Sequence, residues 1–189
     1  EVEVGEIFKC HVPNLDTNLI LTINGWFVQE NAMPEIPEGV VICSIAEASV
    51  KYKELFEQHY NQYTKPADAD GLVALNTAFA QDGVFVYVPD RVVMERPLQI
   101  VMSFQRNMVI LGRDAKATIL VCDHTLSDDN FLSNNATEVV VGENSAFEYY
   151  HVQNQHIEAS QINSVFVSQK RNSRYDANVI SLYGGFIRN

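Results

Sequence analysis

The chain has 189 residues, of which 47% are hydrophobic and 20% charged, a composition that can fill the core of about one domain. Its net charge of −11 argues against binding nucleic acid or an anionic membrane surface, since both require clustered cations. Three cysteines are too few for a disulfide framework, so we expect a reduced, cytoplasmic setting. We also expect no signal peptide and no membrane span, because the sequence shows neither a basic, apolar leader nor a run of about 20 apolar residues.

The first part of the chain, residues 1–83, mixes extended and helical patterns and is predicted to form a small α/β region. The dipeptide Asn24-Gly25 predicts a tight turn, because both residues tolerate a positive φ. Strands are predicted on both sides of this turn and at two further places. The predicted strands are residues 7–12, 19–23, 26–28 and 40–43.

Two helices are predicted in the same region. Ser44 and Glu47 have the spacing of a capping box, which predicts a helix over residues 45–60. Asp68 and Asp70 are N-cap candidates for a second helix, whose apolar residues follow at helical spacing. Gly83 is expected to close that helix in the left-handed conformation. We interpret both helices as packing elements.

Beyond Gly83, over residues 84–189, the pattern is that of an all-β region. Short strands rich in Val, Ile, Phe and Tyr are separated by turn residues. The predicted strands are residues 84–88, 98–102, 108–111, 118–121, 137–141, 147–150, 163–167 and 177–180.

This region also contains an internal repeat. Gly112 and Gly142 lie 30 residues apart, each after a run of apolar residues and each followed two residues later by Asp114 or Asn144. Glycine permits a sharp bend, and Asp or Asn can adopt the left-handed conformation. A period of this size indicates a parallel β-helix, in which each coil buries its inner face on its neighbours. A β-sandwich and a barrel are the alternatives, but both favour hairpin turns rather than long excursions such as residues 123–135.

Charge is unevenly distributed along the β region. Residues 117–169 contain seven acidic side chains and no Lys or Arg, whereas Lys170, Arg171, Arg174 and Arg188 follow. The simpler interpretation is a solvated acidic face with a basic end. The alternative is a docking surface that attracts a partner of complementary charge.

Few residues are candidates for chemistry. Cys122, Asp123 and His124 could bind zinc or an iron–sulfur centre, but no CxxC motif supports them, and a packed cysteine beside a surface histidine is the preferred interpretation. Asp128 and Asp129 could act as a glycosidase pair, although neighbouring carboxylates usually diverge and a polar turn is preferred.

The remaining cysteines and histidines suggest no site. Cys10 and His11 alternate along a strand and face opposite ways, and Cys43 resembles a packed strand end. His151 and His156 are interpreted as structural or exposed, because no partner is recognisable near either. Nucleotide-binding, zinc-protease and serine-hydrolase motifs are missing from the sequence. We therefore assign no catalytic, cofactor-binding or metal-binding residue.

Several segments together resemble the SufB/SufD family of iron–sulfur cluster assembly proteins. The resemblance covers about residues 70–189 and extends more loosely through Asn24-Gly25-Trp26-Phe27 and residues 36–40. The LNTAF–DG pattern, with no cysteine-rich N-terminal stretch, looks more like SufD than SufB. The segments that carry the resemblance are residues 75–89, 97–100, 109–112, 137–148 and 184–189.

The resemblance implies a right-handed parallel β-helix and a non-catalytic scaffold role. It implies a SufB-like paralogue and a SufC-like ATPase as partners, with a homodimer as an alternative, and an iron–sulfur cluster as transient cargo. No resident cofactor is expected within these residues. Family members carry further coils and a helical segment beyond the GG–RN motif of residues 184–189, and their cluster-building Cys and His residues lie there. We therefore expect an open β edge near residues 177–189 and transfer no cluster ligand.

Two other functions stay open on the sequence alone. One is a β-helix carbohydrate-active enzyme, with Asp123, Asp128 and Asp129 as acid and base candidates. The other is a metal-binding redox module that uses Cys122 and His124.

Overall fold

The structure is a computed structural model that describes residues 16–28, 36–63, 70–102, 106–124 and 130–189. Within these residues the chain is mainly β, with a few short helices. The strands are β1 Asn18–Ile23, β2 Trp26–Val28, β3 Val41–Ser44, β4 Val84–Val88, β5 Leu98–Met102, β6 Arg106–Leu111, β7 Lys116–His124, β8 Leu132–Val141, β9 Ala146–Asn154, β10 Ser160–Gln169, β11 Arg174–Tyr183 and β12 Phe186–Arg188. The helices are α1 Ile45–Lys51, α2 Lys53–His59 and α3 Gly71–Phe79.

The strands form two six-stranded mixed sheets. The first sheet has the order β11-β9-β7-β5-β1-β2, and the second has the order β12-β10-β8-β6-β4-β3. From β4 onward the chain alternates between the sheets, and each strand pairs in parallel with the strand two places further along. Only β2 and β3 pair antiparallel with their neighbours among these strands. The hairpin connections of a sandwich or an up-and-down barrel therefore do not organise the described residues.

Left-handed residues form the turns that lead from the second sheet to the first. Asp114, Asn144 and Asn172 have φ values of 55°, 57° and 56°. The backbone N–H of Asp114 donates to the carbonyl of Glu143 at 2.8 Å, and that of Asn144 donates to the carbonyl of Arg171 at 3.0 Å. The predicted left-handed conformation of Asp114 and Asn144 is confirmed, and it joins each turn to the next turn about 30 residues later.

The two repeat glycines, Gly112 and Gly142, allow neighbouring backbone segments to approach closely, and neither has a positive φ. A Cβ placed on Gly142 would lie 2.1 Å from the carbonyl oxygen of Gly112, and one on Gly112 would lie 2.6 Å from the backbone N of Asp90. Neither glycine is among the residues with positive φ. Neither glycine therefore supplies a left-handed conformation to the turn that follows it. Glycine is required at both positions because successive backbones lie too close for a side chain.

The main core lies between the two sheets, because alternate residues of strands in both sheets point into it. Val109, Leu111, Val139 and Val141 of the second sheet pack in one cluster with residues such as Ile119 of the first. A second apolar cluster lies beneath α1 and α2, on the other face of the second sheet. It includes Cys43, Ile45, Ala48, Phe85, Met108, Ile110 and Val140.

The first predicted helix is two helices. Ser44 caps α1 as expected, since its Oγ accepts from the N–H of Glu47 at 2.9 Å. The Glu47 carboxylate accepts from Lys51 at 2.6 Å rather than reaching back to Ser44. Tyr52, with φ −120° and ψ 39°, separates α1 from α2, and its ring stacks on Phe85 at 6.3 Å. Packing of this ring accompanies a helix break that the local pattern did not predict.

The second predicted helix is shorter than expected at its C-terminal end. Asp70 is the N-cap, and its carboxylate accepts from the N–H of Leu72 at 2.9 Å. The helix ends at Phe79, so the prediction that Gly83 closes it is wrong. A Cβ on Gly83 would lie 1.6 Å from the carbonyl oxygen of Arg106, which explains the glycine by close strand packing.

The β-strand predictions from residue 19 onward are confirmed, whereas β12 was not predicted. Strands β2, β4 and β5 have the predicted bounds, β3 is shifted by one residue, and the other predicted strands are longer than expected. The predicted strand at residues 7–12, with Cys10 and His11, and the N-cap candidate Asp68 lie outside the described residues. The edge expected near residues 177–189 is present, because β11 and β12 are edge strands of the two sheets.

We predict that Gly142→Ala lowers the free energy of unfolding by about 1–3 kcal/mol, the usual cost of forcing atoms into a packed region. The control is Gly71→Ala, at the start of α3, where an added Cβ meets nothing within 4 Å. That change should alter stability by no more than about 1 kcal/mol. Urea unfolding followed by circular dichroism measures both, and equal stabilities for the two variants would contradict the close packing of successive turns.

Candidate functional site

A buried ion pair lies on the helix-covered face of the second sheet. A guanidinium nitrogen of Arg106 on β6 lies 3.0 Å from a carboxylate oxygen of Glu138 on β8, and the two side chains are 0% and 1% exposed. The strand register explains the contact, because Met108 lies directly opposite Glu138 and Arg106 is two residues earlier on the same face.

Groups from the helical segments complete the environment of this pair. The Glu138 carboxylate accepts from the backbone N–H groups of Asn61, at 2.9 Å, and Tyr63, at 3.2 Å. The Arg106 guanidinium donates to Asn76 at 3.3 Å and to Thr77 at 3.2 Å. The pair therefore fastens α3 and the segment after α2 to the sheet.

The ring of Tyr60 contributes to the same environment, because the Arg106 guanidinium lies 5.3 Å from its centroid. Burial raises the pKa of the Tyr60 hydroxyl, while the charge of Arg106 opposes that rise. The charges of Arg106 and Glu138 are paired and buried, so they can hold the neighbouring segments in place but are not accessible to a substrate. We interpret the Arg106–Glu138 pair as an anchor for the helical layer.

A second buried polar group lies between the two sheets. Asp123 on β7 is 1% exposed, and its Oδ2 lies 2.6 Å from Nε2 of His151 on β9. The same oxygen accepts a hydrogen bond from the amide of Gln161 on β10. Tyr149 lies nearby, and its pKa is raised, first by burial and then by the charge of Asp123.

Further polar side chains extend from this group along the interior. Asn189 Oδ1 accepts from the amides of Gln153, at 2.6 Å, and Asn163, at 2.9 Å. Asn135 donates to Asn163 at 2.9 Å, and Ser181 bonds Gln153. The space between the sheets is thus apolar at one end and polar at the other. We call this polar set, together with Asp123, His151 and Gln161, the interior polar cluster.

Cys122 does not join Asp123, because adjacent strand residues point to opposite faces. Its side chain is 2% exposed and packs in a separate apolar cluster with Leu21, Val101 and Leu120. Its sulfur lies 3.7 Å from the amide nitrogen of Gln99. The interpretation of Cys122 as a packed cysteine is confirmed.

The other residues singled out from sequence lie apart from one another. Cys43 is packed, and burial, followed by the charge of Glu47, raises its thiol pKa to about 12. His156 is half-buried and accepts from the N–H of Glu158 at 3.3 Å. Asp128, Asp129 and the side chain of His124 lie outside the described residues.

Two expectations from sequence are corrected. His151, interpreted as lacking a partner, is 2% exposed and bonded to Asp123. The acidic stretch is not one solvated face, since Asp123 and Glu138 are buried whereas Glu143 is exposed. The 30-residue repeat is the sequence signal that could have revealed the contact between Asp123 and His151. The repeat pairs Val121 with His151, and Asp123 lies two residues after Val121 on the same face of the strand.

A groove runs between α3 and the β1–β2 turn. Its volume is about 310 Å³, and it is lined by exposed Leu75, Phe79 and Leu132 together with the turn residues Asn24 and Gly25. Within the described part of the chain, no three His, Cys, Asp or Glu residues are grouped so that they could hold a metal ion. None of the described helices is long and apolar enough to span a membrane.

Two family models together match the chain from end to end. The SufBD protein N-terminal region matches residues 1–100. The SufBD core domain of the SUF system for FeS cluster assembly matches residues 93–189. The chain belongs to the SufB/SufD family. The predicted resemblance is therefore confirmed.

Curated relatives agree with the family models. An iron–sulfur cluster assembly SufBD family protein of Pyropia yezoensis is 32% identical over 125 residues, covering 61% of this chain and 26% of the relative. SufD of Bacillus subtilis is 27% identical over 126 residues, covering 62% and 29%. SufB of the same bacterium is 23% identical over 167 residues, covering 80% and 36%. The chain thus spans about a quarter to a third of the length of these relatives.

We predict that Glu138→Gln lowers the free energy of unfolding by about 3–5 kcal/mol, because it leaves the Arg106 charge buried without its counter-charge. Replacing both partners, Arg106→Met with Glu138→Leu, should recover much of that loss. Chemical unfolding of the wild type, Arg106→Met, Glu138→Leu and the double variant gives the coupling free energy of the pair.

The matched control for this prediction is Asp90→Asn. Asp90 pairs with Arg113 at 2.9 Å, but these side chains are 44% and 59% exposed, so the change should stay within about 1 kcal/mol. Equal losses at Glu138 and Asp90 would show that the buried pair does not anchor the helical layer.

Proposed function

We propose that this chain acts as a non-catalytic, SufD-like scaffold in an iron–sulfur cluster assembly complex with a SufB-like protein and a SufC-like ATPase. The observation that carries the proposal is the joint match of the two SufBD family models, which leaves no part of the chain outside the family. In this role the iron–sulfur cluster is cargo of the complex and not a resident group of these residues.

The chain path supports a right-handed parallel β-helix as the scaffold. Successive strands alternate between the two sheets, and each returns to pair in parallel with the strand two places away. Parallel crossover connections within one sheet are nearly always right-handed. Stacked coils of this kind form a stiff, extended surface, which suits the holding of partners in fixed positions.

A scaffold role also agrees with the burial of Asp123, Cys43 and Cys122, the candidate acid and thiols among the described residues. Asp123 is 1% exposed, so its carboxylate cannot contact a polysaccharide as the carbohydrate-enzyme alternative requires. Cys122 is turned away from Asp123 into an apolar cluster, which counts against the redox-module alternative. The thiols of Cys43 and Cys122 are not joined in disulfides, in keeping with the proposed cytoplasmic setting.

The choice between SufD-like and SufB-like rests on finer sequence features. The LNTAF–DG pattern of residues 75–83 favours SufD, as does the higher identity to the Bacillus subtilis SufD. The SufB match covers more of the chain at lower identity. We propose the SufD-like role because the local motif and the higher identity agree.

Co-expression with SufB-like and SufC-like proteins tests the proposal. We expect affinity purification of the protein that contains this chain to recover both partners, with no ATP hydrolysis by the chain alone. If all three proteins fold, as judged by circular dichroism, and still fail to associate, the scaffold proposal is wrong.

A further inference from the structure

The two carboxylate oxygens of Asp123 have different surroundings. Oδ2 accepts from His151 and from Gln161. Oδ1 is buried and has no hydrogen-bond partner in the structure. A buried acceptor without a donor costs roughly 1–3 kcal/mol, and more when it carries charge.

The side chain of Gln161 also has a buried acceptor without a donor, and its amide contacts the same carboxylate. Its side chain is 0% exposed, and its amide nitrogen donates to Asp123 and, at 3.4 Å, to Asn163. Its carbonyl oxygen Oε1 is buried without a hydrogen-bond partner. Two acceptors that lack donors therefore belong to two side chains already in contact.

Among the described residues, no donor is found for either oxygen. Nε2 of His151 is already in contact with Oδ2. Tyr149 carries the nearby hydroxyl, and its hydrogen bond is with Thr137. A guest that satisfies both oxygens must therefore carry at least two N–H or O–H groups. It must also be very small, because Asp123, His151 and Gln161 are at most 2% exposed.

We propose that Asp123 and Gln161 form an enclosed binding site for one small hydrogen-bond donor, a water molecule or an ammonium ion, that bridges Asp123 Oδ1 and Gln161 Oε1. His151 positions the carboxylate for this contact. This site is independent of the proposed scaffold function.

Crystallography and NMR of the purified chain test the proposal. An atomic-resolution crystal structure from ammonium-free solution should show a peak about 2.7–3.2 Å from both oxygens if the guest is water. If the guest is ammonium, ¹⁵N-labelled ammonium chloride should give a slowly exchanging ammonium signal with contacts to the rings of Tyr149 and His151. A map without such a peak, together with no bound ammonium signal, overturns the site.

Substitutions distinguish a guest bound at Asp123 and Gln161 from a guest bound elsewhere in the interior. Gln161→Met removes Oε1 at similar size and should abolish the peak or the signal. The control is Gln99→Met, another buried amide, which contacts Thr17 and Cys122 instead of Asp123 and should leave the guest in place.

A further variant makes the test independent of Gln161. Asp123→Asn keeps the shape of the side chain and removes its charge, so it should eliminate ammonium binding, whereas a bound water should stay. Persistence of the guest in Gln161→Met, or loss of ammonium in Gln99→Met as well, contradicts the assignment.

Discussion

Backbone hydrogen bonding between segments about 30 residues apart is the constraint on which the rest of the molecule depends. Asp114 and Asn144 donate to the carbonyls of the next turn. The strands that follow them pair in parallel, β7 with β9 along their whole length and β9 with β11 up to a register shift between Ser181 and Tyr183. Because side chains alternate along a strand, this register fixes which residues share the interior and which share a face. The close approach at Gly142 is the steric condition for that stacking.

The same register places the two buried polar pairs on different faces of the sheets. Arg106 and Glu138 meet on the helix-covered face, where they tie α3 and the segment after α2 to the second sheet. Asp123 and His151 meet between the sheets, at the polar end of the core. Both arrangements hold polar groups away from solvent and join elements that are distant in sequence.

Local sequence signals predicted much of the fold. The Asn24-Gly25 turn, the Ser44 and Asp70 caps and the left-handed Asp114 and Asn144 depend on backbone chemistry within a few residues. The break at Tyr52 and the roles of Gly83 and Gly142 depend on neighbours distant in sequence, so single-segment patterns do not reveal them. The pairing of Asp123 with His151 could have been found from the repeat, but only by aligning strands whose register was not yet known.

Hydrogen–deuterium exchange followed by mass spectrometry tests the stacked arrangement most directly. If the strands form one interlocked unit, the amides of β6, β7, β8 and β9 should exchange with similar protection, close to the global free energy of unfolding, although they belong alternately to the two sheets. Widely different protection, with β7 and β9 exchanging as one group and β6 and β8 as another, would show that the sheets unfold independently and would contradict the account.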